Sequence, residues 1–158
     1  MNPMKSILIT GVLLASLTGS NAFAHCQIPC GIFDDAARFA MMEERVATIE
    51  KSMKQVIALS GPENTTANGS YNQVVRWVET KDSHADELSD IATYYFLAQR
   101  VKPVDKENKE AYGKYINEIT WLHRIIVHAM KAKQTTDLEH VEKLRDLIGK
   151  FRKSYLGK

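Results

Sequence analysis

The residues best suited to chemistry lie in a short segment near the N-terminus, which has the sequence HCQIPC. It holds both cysteines of the chain, Cys26 and Cys30, and it begins with His25, one of five histidines. Thiolates and imidazoles are ligands for transition metals, so the segment is a candidate metal site. Pro29 disfavours a helix between the two thiols. We therefore predict that residues 25–33 form a short hook ahead of the folded domain.

The residues before the hook have the three parts of a secretory signal peptide. Lys5 gives a positive start, and residues 7–17 are almost unbroken apolar sequence. Ala22 and Ala24 satisfy the A-x-A rule for signal peptidase, which predicts cleavage between Ala24 and His25. The alternative of a retained membrane anchor is disfavoured, because a span needs about 20 apolar residues.

Processing at this bond would remove residues 1–24 and leave residues 25–158 as a single domain. That length is sufficient for one hydrophobic core. The formal charge of +2 falls to +1 because Lys5 is lost. Basic residues alternate with acidic ones, which does not favour a nucleic-acid partner. No second long apolar run follows, so we expect no membrane partner after processing and an exported protein, periplasmic or extracellular.

Cleavage would give His25 a free α-amine in addition to its imidazole. The α-amine and the amide nitrogen of Cys26 can close one five-membered chelate ring, and the Cys26 thiolate closes a second. Cys30 returns through the Pro29 turn as a fourth donor. Two nitrogens and two sulfurs near one plane suit Ni(II). The imidazole could approach from above, and an axial nitrogen favours the trivalent metal.

Two other interpretations of the thiols remain open. Zinc prefers tetrahedral nitrogen and sulfur ligands, but the chain has no second cysteine pair. His123 and His128 are five residues apart, so they do not share a helix face. A disulfide between Cys26 and Cys30 is ordinary for an exported protein, yet so short a loop stabilises little.

The rest of the chain predicts helices. Apolar residues recur at steps of three and four in four segments, each as one stripe. Asp34 is a candidate N-cap of the first helix, and the sequence TDLE at residues 136–139 matches a capping box before the fourth. The predicted fold is all-α, an up-down-up-down antiparallel four-helix bundle with an N-terminal metal-binding hook. The stripes are Phe39, Met42, Val46, Ile49, Met53 and Val56; Tyr71, Val74, Val78, Ala85, Leu88, Ala92 and Tyr95, interrupted at Lys81; Tyr112, Ile116, Ile119, His123, Ile126 and Met130; and Leu138, Val141, Leu144, Ile148, Phe151 and Tyr155.

The hook sequence HCQIPCGIF resembles the nickel-hook motif H-C-x-x-P-C-G-x-Y of nickel-containing superoxide dismutases. The matching residues are His25, Cys26, Pro29, Cys30 and Gly31. The segments RWVETKDSHADEL and YYFLAQRVKP also resemble the second helix of that family. The likeness spans most of residues 25–158, although only the hook is specific.

This resemblance implies a homohexamer of four-helix bundles that disproportionates superoxide to dioxygen and hydrogen peroxide. It implies one nickel ion per subunit, cycling between Ni(II) and Ni(III). The implied ligands are the α-amine and imidazole of His25, the amide nitrogen and thiolate of Cys26, and the thiolate of Cys30. The other function considered is a non-enzymatic exported helical protein that binds or senses metal.

Four further residues are expected near the metal. Phe33 stands where the family usually has a tyrosine that gates access to the metal. Phe33 has the same aromatic ring but lacks the hydroxyl. Gln27 stands where many relatives have aspartate, and Pro29 sets the turn of the hook. His84 stands at or beside the position where some members of the family have an arginine close to the metal ligands. The remaining histidines, on predicted helices, are interpreted as ordinary surface or core-edge residues: His123, His128 and His140.

Overall fold

The computed structural model describes residues 34–61 and 70–157 of the 158-residue chain. Within these ranges the chain forms helices and no strand, which confirms the predicted all-α four-helix bundle. The predicted signal peptide and hook lie outside the described residues. The helices are α1 (Asp35–Leu59), α2 (Ser70–Asp90), which continues into a π-helical segment (Ile91–Arg100), α3 (Lys109–Gln134) and α4 (Glu139–Leu156).

The four helices follow one another around the bundle. Each packs against the next in sequence, and α4 returns against α1. The start of α1 contacts the end of the π-helical segment and the end of α4, through Asp35, Tyr95 and Tyr155. These contacts place one end of the bundle next to the point where the hook joins, and they agree with up-down-up-down order.

The first helix forms as its sequence predicts. Asp34 has extended backbone angles, and its carboxylate accepts a hydrogen bond from the Ala36 amide at 2.8 Å. This N-cap satisfies one of the amides that a helix start leaves free. The predicted stripe is fully buried from Phe39 to Met53, and the helix ends at Leu59.

Three phenylalanines form the core at the hook end of the bundle. Phe39, Phe96 and Phe151 come from α1, the π-helical segment and α4, and all three are fully buried. Their ring centroids lie 4.9 Å (Phe39–Phe96 and Phe96–Phe151) and 5.3 Å (Phe39–Phe151) apart. Tilted aromatic pairs at such distances add about 0.5–1.5 kcal/mol each beyond area burial. This packing holds α1, the π-helical segment and α4 together at one end of the bundle.

The predicted face of α3 is only partly buried, because Ile119 and Ile126 pack against the core whereas three other members of the stripe are exposed. Ile116 is 36 % exposed, Met130 is 49 % exposed, and His123 is exposed. The helix carries two apolar sets at steps of three and four, and periodicity alone does not say which one faces the core. Packing against α2 and α4 selects the other set, which consists of Leu122, Ile125, Ala129 and Ala132 and is extended by the buried polar residue Glu118.

Two details of the other helices also differ from prediction. Tyr71 begins the predicted α2 stripe but is 70 % exposed, whereas the stripe from Ala85 onward is buried. The capping box before α4 does not form, because Asp137 rather than the preceding threonine accepts the Glu139 amide, at 2.9 Å. The fourth stripe is otherwise confirmed from Val141 through Phe151. In the described ranges no helix has the length and apolar character needed to cross a bilayer.

Candidate metal centre and its attachment

Most of the predicted site precedes the first described residue, Asp34. The predicted ligands and hook residues therefore lie outside the described residues and remain predictions: His25, Cys26, Gln27, Pro29, Cys30 and Phe33. The structure does place His84, and it places the end of the bundle to which the hook is joined.

A cluster of polar side chains surrounds Asp35, two residues after the end of the predicted hook. This Asp35 cluster consists of Asp35, Tyr95, Arg100 and Tyr155. The Tyr95 hydroxyl donates to Asp35 Oδ1 at 2.5 Å, and the Tyr155 hydroxyl donates to Oδ2 at 3.0 Å. Arg100 Nε lies 3.0 Å from Oδ1. One carboxylate thus ties α1 to the π-helical segment and to α4, two residues after Phe33.

The π-helical segment makes this cluster possible. Residues five apart in an α-helix lie roughly 140° apart around the axis. A π-helix bonds residue i to residue i+5 and brings such residues onto nearly one face. Here the Val101 amide donates to the Phe96 carbonyl at 2.9 Å, and Arg100 Nη2 donates to the Tyr95 hydroxyl, five residues earlier, at 3.0 Å. Tyr95 and Arg100 can therefore both reach Asp35.

The cluster keeps its tyrosines neutral. Burial, with the hydrogen bond to Asp35, raises the pKa of Tyr155 to about 12. The same two causes raise the pKa of Tyr95. The hydrogen bond to Tyr95 raises the pKa of the Arg100 guanidinium, which stays charged. At neutral pH the carboxylate therefore faces two phenol donors and one cation, an arrangement that holds the start of α1 in place.

This cluster was not predicted from the sequence. Tyr95 and Tyr155 were included only as members of apolar stripes. The signal that was missed is the spacing of Tyr95 and Arg100, which are five residues apart and shortly before Pro103. Residues with this spacing share a face in a π-helix but not in an α-helix.

His84 lies farther along the bundle, beside an ion pair between α1 and α2. Arg45 Nε is 2.6 Å from Glu87 Oε2, and His84 Nδ1 is 4.0 Å from the same oxygen. The His84 side chain is 23 % exposed, and its Nδ1 has no hydrogen-bond partner among the described residues. Arg45 is ten residues after Asp35, a rise of about 15 Å along α1.

The hook is long enough to reach this ion pair. Nine residues span at most roughly 30 Å when extended, which is twice the rise from Asp35 to Arg45. The geometry therefore permits a contact between the hook and His84, although the two are far apart in sequence. Within residues 34–61 and 70–157, no group of three or more histidine, cysteine or acidic side chains is arranged to hold a metal ion.

An all-helical bundle led by a segment rich in sulfur and nitrogen donors defines a class of helical metalloproteins. The sequence model described as nickel-containing superoxide dismutase matches residues 20–158, and the chain belongs to that family. No curated protein or solved structure compared with the chain matches it. Family membership makes the chain an enzyme that disproportionates superoxide with nickel as its metal, and it confirms the resemblance to that family. The non-enzymatic interpretation is set aside.

Proposed function

We propose that the nickel of this superoxide dismutase is bound by the processed N-terminus. His25 would provide its α-amine and imidazole, Cys26 its amide nitrogen and thiolate, and Cys30 its thiolate. The observation that carries the proposal is the donor set itself, which lies within the residues that the family model matches. Thiolates and a deprotonated amide are strong donors, and they suit a metal that must reach the trivalent state.

Nickel, when bound, supplies the one-electron change between Ni(II) and Ni(III) by which two superoxide ions and two protons become dioxygen and hydrogen peroxide. The polypeptide would hold and shield the donors. The Asp35 cluster would fix the base of the hook, and Pro29 would turn Cys30 back toward Cys26. Phe33 would cover the open face of the metal without donating a hydrogen bond.

The residues that would contact the hook are inferred from their charges and from the length of the hook. His84 offers an unsatisfied nitrogen beside the Arg45–Glu87 ion pair, and we propose that the hook packs there. Gln27 carries no charge where relatives have an acid, so it adds no repulsion toward an approaching anion. Environments of this kind tune a metal through the groups that contact its ligands.

Export precedes metal binding in this proposal. Residues 1–24 would act as a signal peptide, and only cleavage before His25 frees the α-amine. An unperturbed α-amine has a pKa of about 8, so a metal can displace its proton near neutral pH. The enzyme would then work in the periplasm or outside the cell, as a single domain of residues 25–158.

The processed chain is proposed to assemble as a homohexamer. Two apolar residues of the predicted α3 stripe, Ile116 and Met130, are exposed on the surface of the bundle. An interface between subunits would bury such exposed apolar side chains, so they are candidates for a subunit contact. Ile116→Glu should therefore lower the assembled mass in sedimentation, whereas Asn117→Glu, one position along and also exposed, should not. An unchanged mass in both variants would remove this stripe from the interface.

The test of the metal site compares two N-termini. Protein processed to begin at His25 should bind about one nickel per chain and disproportionate superoxide. The same protein with one added methionine before His25 loses the free α-amine at the right position. We expect it to retain little nickel and to lack activity, with unchanged helix content by circular dichroism. Full activity in the extended protein would rule out the proposed coordination.

A further inference from the structure

Two histidines face each other at the end of the bundle remote from the hook. His128 of α3 and His140 of α4 have their Nδ1 atoms 3.3 Å apart. Their ring centroids are 5.4 Å apart, and the rings are inclined by 52°. From the sequence both were interpreted as ordinary surface or core-edge residues. Their nitrogens converge on one point only because α3 and α4 meet here.

The distance between the nitrogens suits a shared metal as well as a long hydrogen bond. Hydrogen bonds from N–H to oxygen are typically about 2.7–3.2 Å long, and the contact of 3.3 Å between the two nitrogens is slightly longer than that. Zinc binds histidine nitrogen at about 2.0–2.1 Å, and two such bonds at a tetrahedral angle place the nitrogens roughly 3.3–3.4 Å apart. A right-angle geometry, which nickel or copper favours, would need about 2.9 Å. We propose that His128 and His140 form a two-histidine site that takes Zn²⁺, separate from the nickel centre.

The backbone holds the two rings in place. His128 lies two turns before the end of α3 at Gln134, and His140 is in the first turn of α4. The connection between them is short, and its Asp137 accepts the Glu139 amide. A ligand pair on two packed helices loses little freedom when metal binds. Tyr155 of the Asp35 cluster is 15 residues after His140, about 22 Å along α4, so the two sites do not share ligands.

The charges around the pair set its chemistry. Burial lowers the pKa of His128, and His140, Lys131, Arg124 and Lys143 lower it further through their positive charge. A neutral imidazole is the form that binds metal. Glu139 lies 3.9 Å from Lys143 Nζ and offsets part of that charge. The two histidines leave two of the four positions of tetrahedral zinc to water or to an anion, which the nearby cations favour.

Zinc titration of the full processed protein tests the site. With nickel already bound at the hook, calorimetry should show one further Zn²⁺ bound per chain. His128→Gln and His140→Gln, on different helices, should each weaken that binding at least about tenfold, since even the groups that orient a ligand contribute 10–100-fold. His123→Gln, an exposed histidine on the same helix as His128, is the matched control and should bind zinc as the parent does.

A second arm separates this site from the hook. The Cys26→Ser/Cys30→Ser protein lacks the thiolates proposed to hold nickel, and it should still bind one Zn²⁺ with the parent's affinity. Absence of saturable zinc binding in the parent, or binding that both glutamine variants keep, would overturn the proposal. If zinc binding disappears only with the cysteines, the zinc occupies the hook and the pair is a hydrogen bond.

Discussion

Tyr155, near the end of the last helix, donates a hydrogen bond of 3.0 Å to Asp35, the first residue of the first helix. The bond closes the bundle at the end where the hook begins. Because Asp35 also accepts from Tyr95 and contacts Arg100, the start of α1 is held by two other elements. Asp35, two residues after the predicted hook, is therefore held by side chains that are far from it in the sequence.

Asp35→Asn should loosen that attachment. An amide offers one acceptor oxygen and no charge to three donors, and a hydrogen bond to a charged group contributes about 1.5–3 kcal/mol. We expect the free energy of unfolding to fall by about 2 kcal/mol in urea titration, and nickel retention to fall with it. Asp146→Asn, an exposed residue paired with Lys150, should change stability by less than about 0.5 kcal/mol. Lost stability with full nickel retention would limit the cluster to a structural role.

Stability should also depend on pH through Tyr155. Its pKa is raised to about 12 in the folded protein and is about 10 when unfolded. The contribution is therefore fully present below pH 10 and is lost as the pH rises toward 12. Two pH units correspond to at most about 2.7 kcal/mol, and solvent screening of a partly exposed phenol reduces this to about 1 kcal/mol. Tyr155→Phe should be less stable at pH 8, and its difference from the parent should shrink above pH 11.

The buried lysine of α2 ties α2 to the end of α3. Lys81 is 2 % exposed, and its ammonium group donates to the carbonyls of Ala132 and Lys133 at 2.7 and 2.5 Å. Lys81→Met would keep the packing volume and leave these carbonyls without their donor, at a cost of about 2–4 kcal/mol in unfolding free energy. Lys54→Met, which removes an exposed pair with Glu50, should cost less than about 0.5 kcal/mol. Equal losses in thermal or urea unfolding would contradict this role.

Lys81 also shows how far sequence reasoning could go. The spacing of the apolar residues and the candidate helix N-caps predicted four helices, and the stripes of α1 and α4 are buried as expected. Lys81 interrupts its apolar stripe at a core position, but the sequence could not show which carbonyl oxygens would accept hydrogen bonds from its ammonium group. The partners are 51 and 52 residues away and exist only after α3 has packed against α2.

The candidate site likewise has a part that the sequence predicts and a part that it does not. The proposed donors of the hook can be predicted from the order of neighbouring residues alone, because each chelate ring would join atoms of the same or adjacent residues. That prediction depends on His25, Cys26 and Cys30. The Asp35 cluster needs residues up to 120 positions apart and a change from α- to π-helical winding at Ile91. Apolar spacing predicts helices but contains no information on such a change of winding, so the cluster was not predicted.

Phe33 offers the sharpest test of how the hook admits its substrate. If the ring only shields the open face, Phe33→Tyr should alter the rate modestly and leave nickel affinity unchanged. Phe33→Ala should retain less nickel and be inhibited more strongly by azide, because a larger anion reaches the metal once the ring is gone. Losing a buried ring costs roughly 3–5 kcal/mol in a core and less at an exposed position. Tyr71→Ala removes an exposed aromatic from α2 and should change neither property. If Phe33→Ala matches the parent in rate, nickel content and azide inhibition, the ring is not a gate.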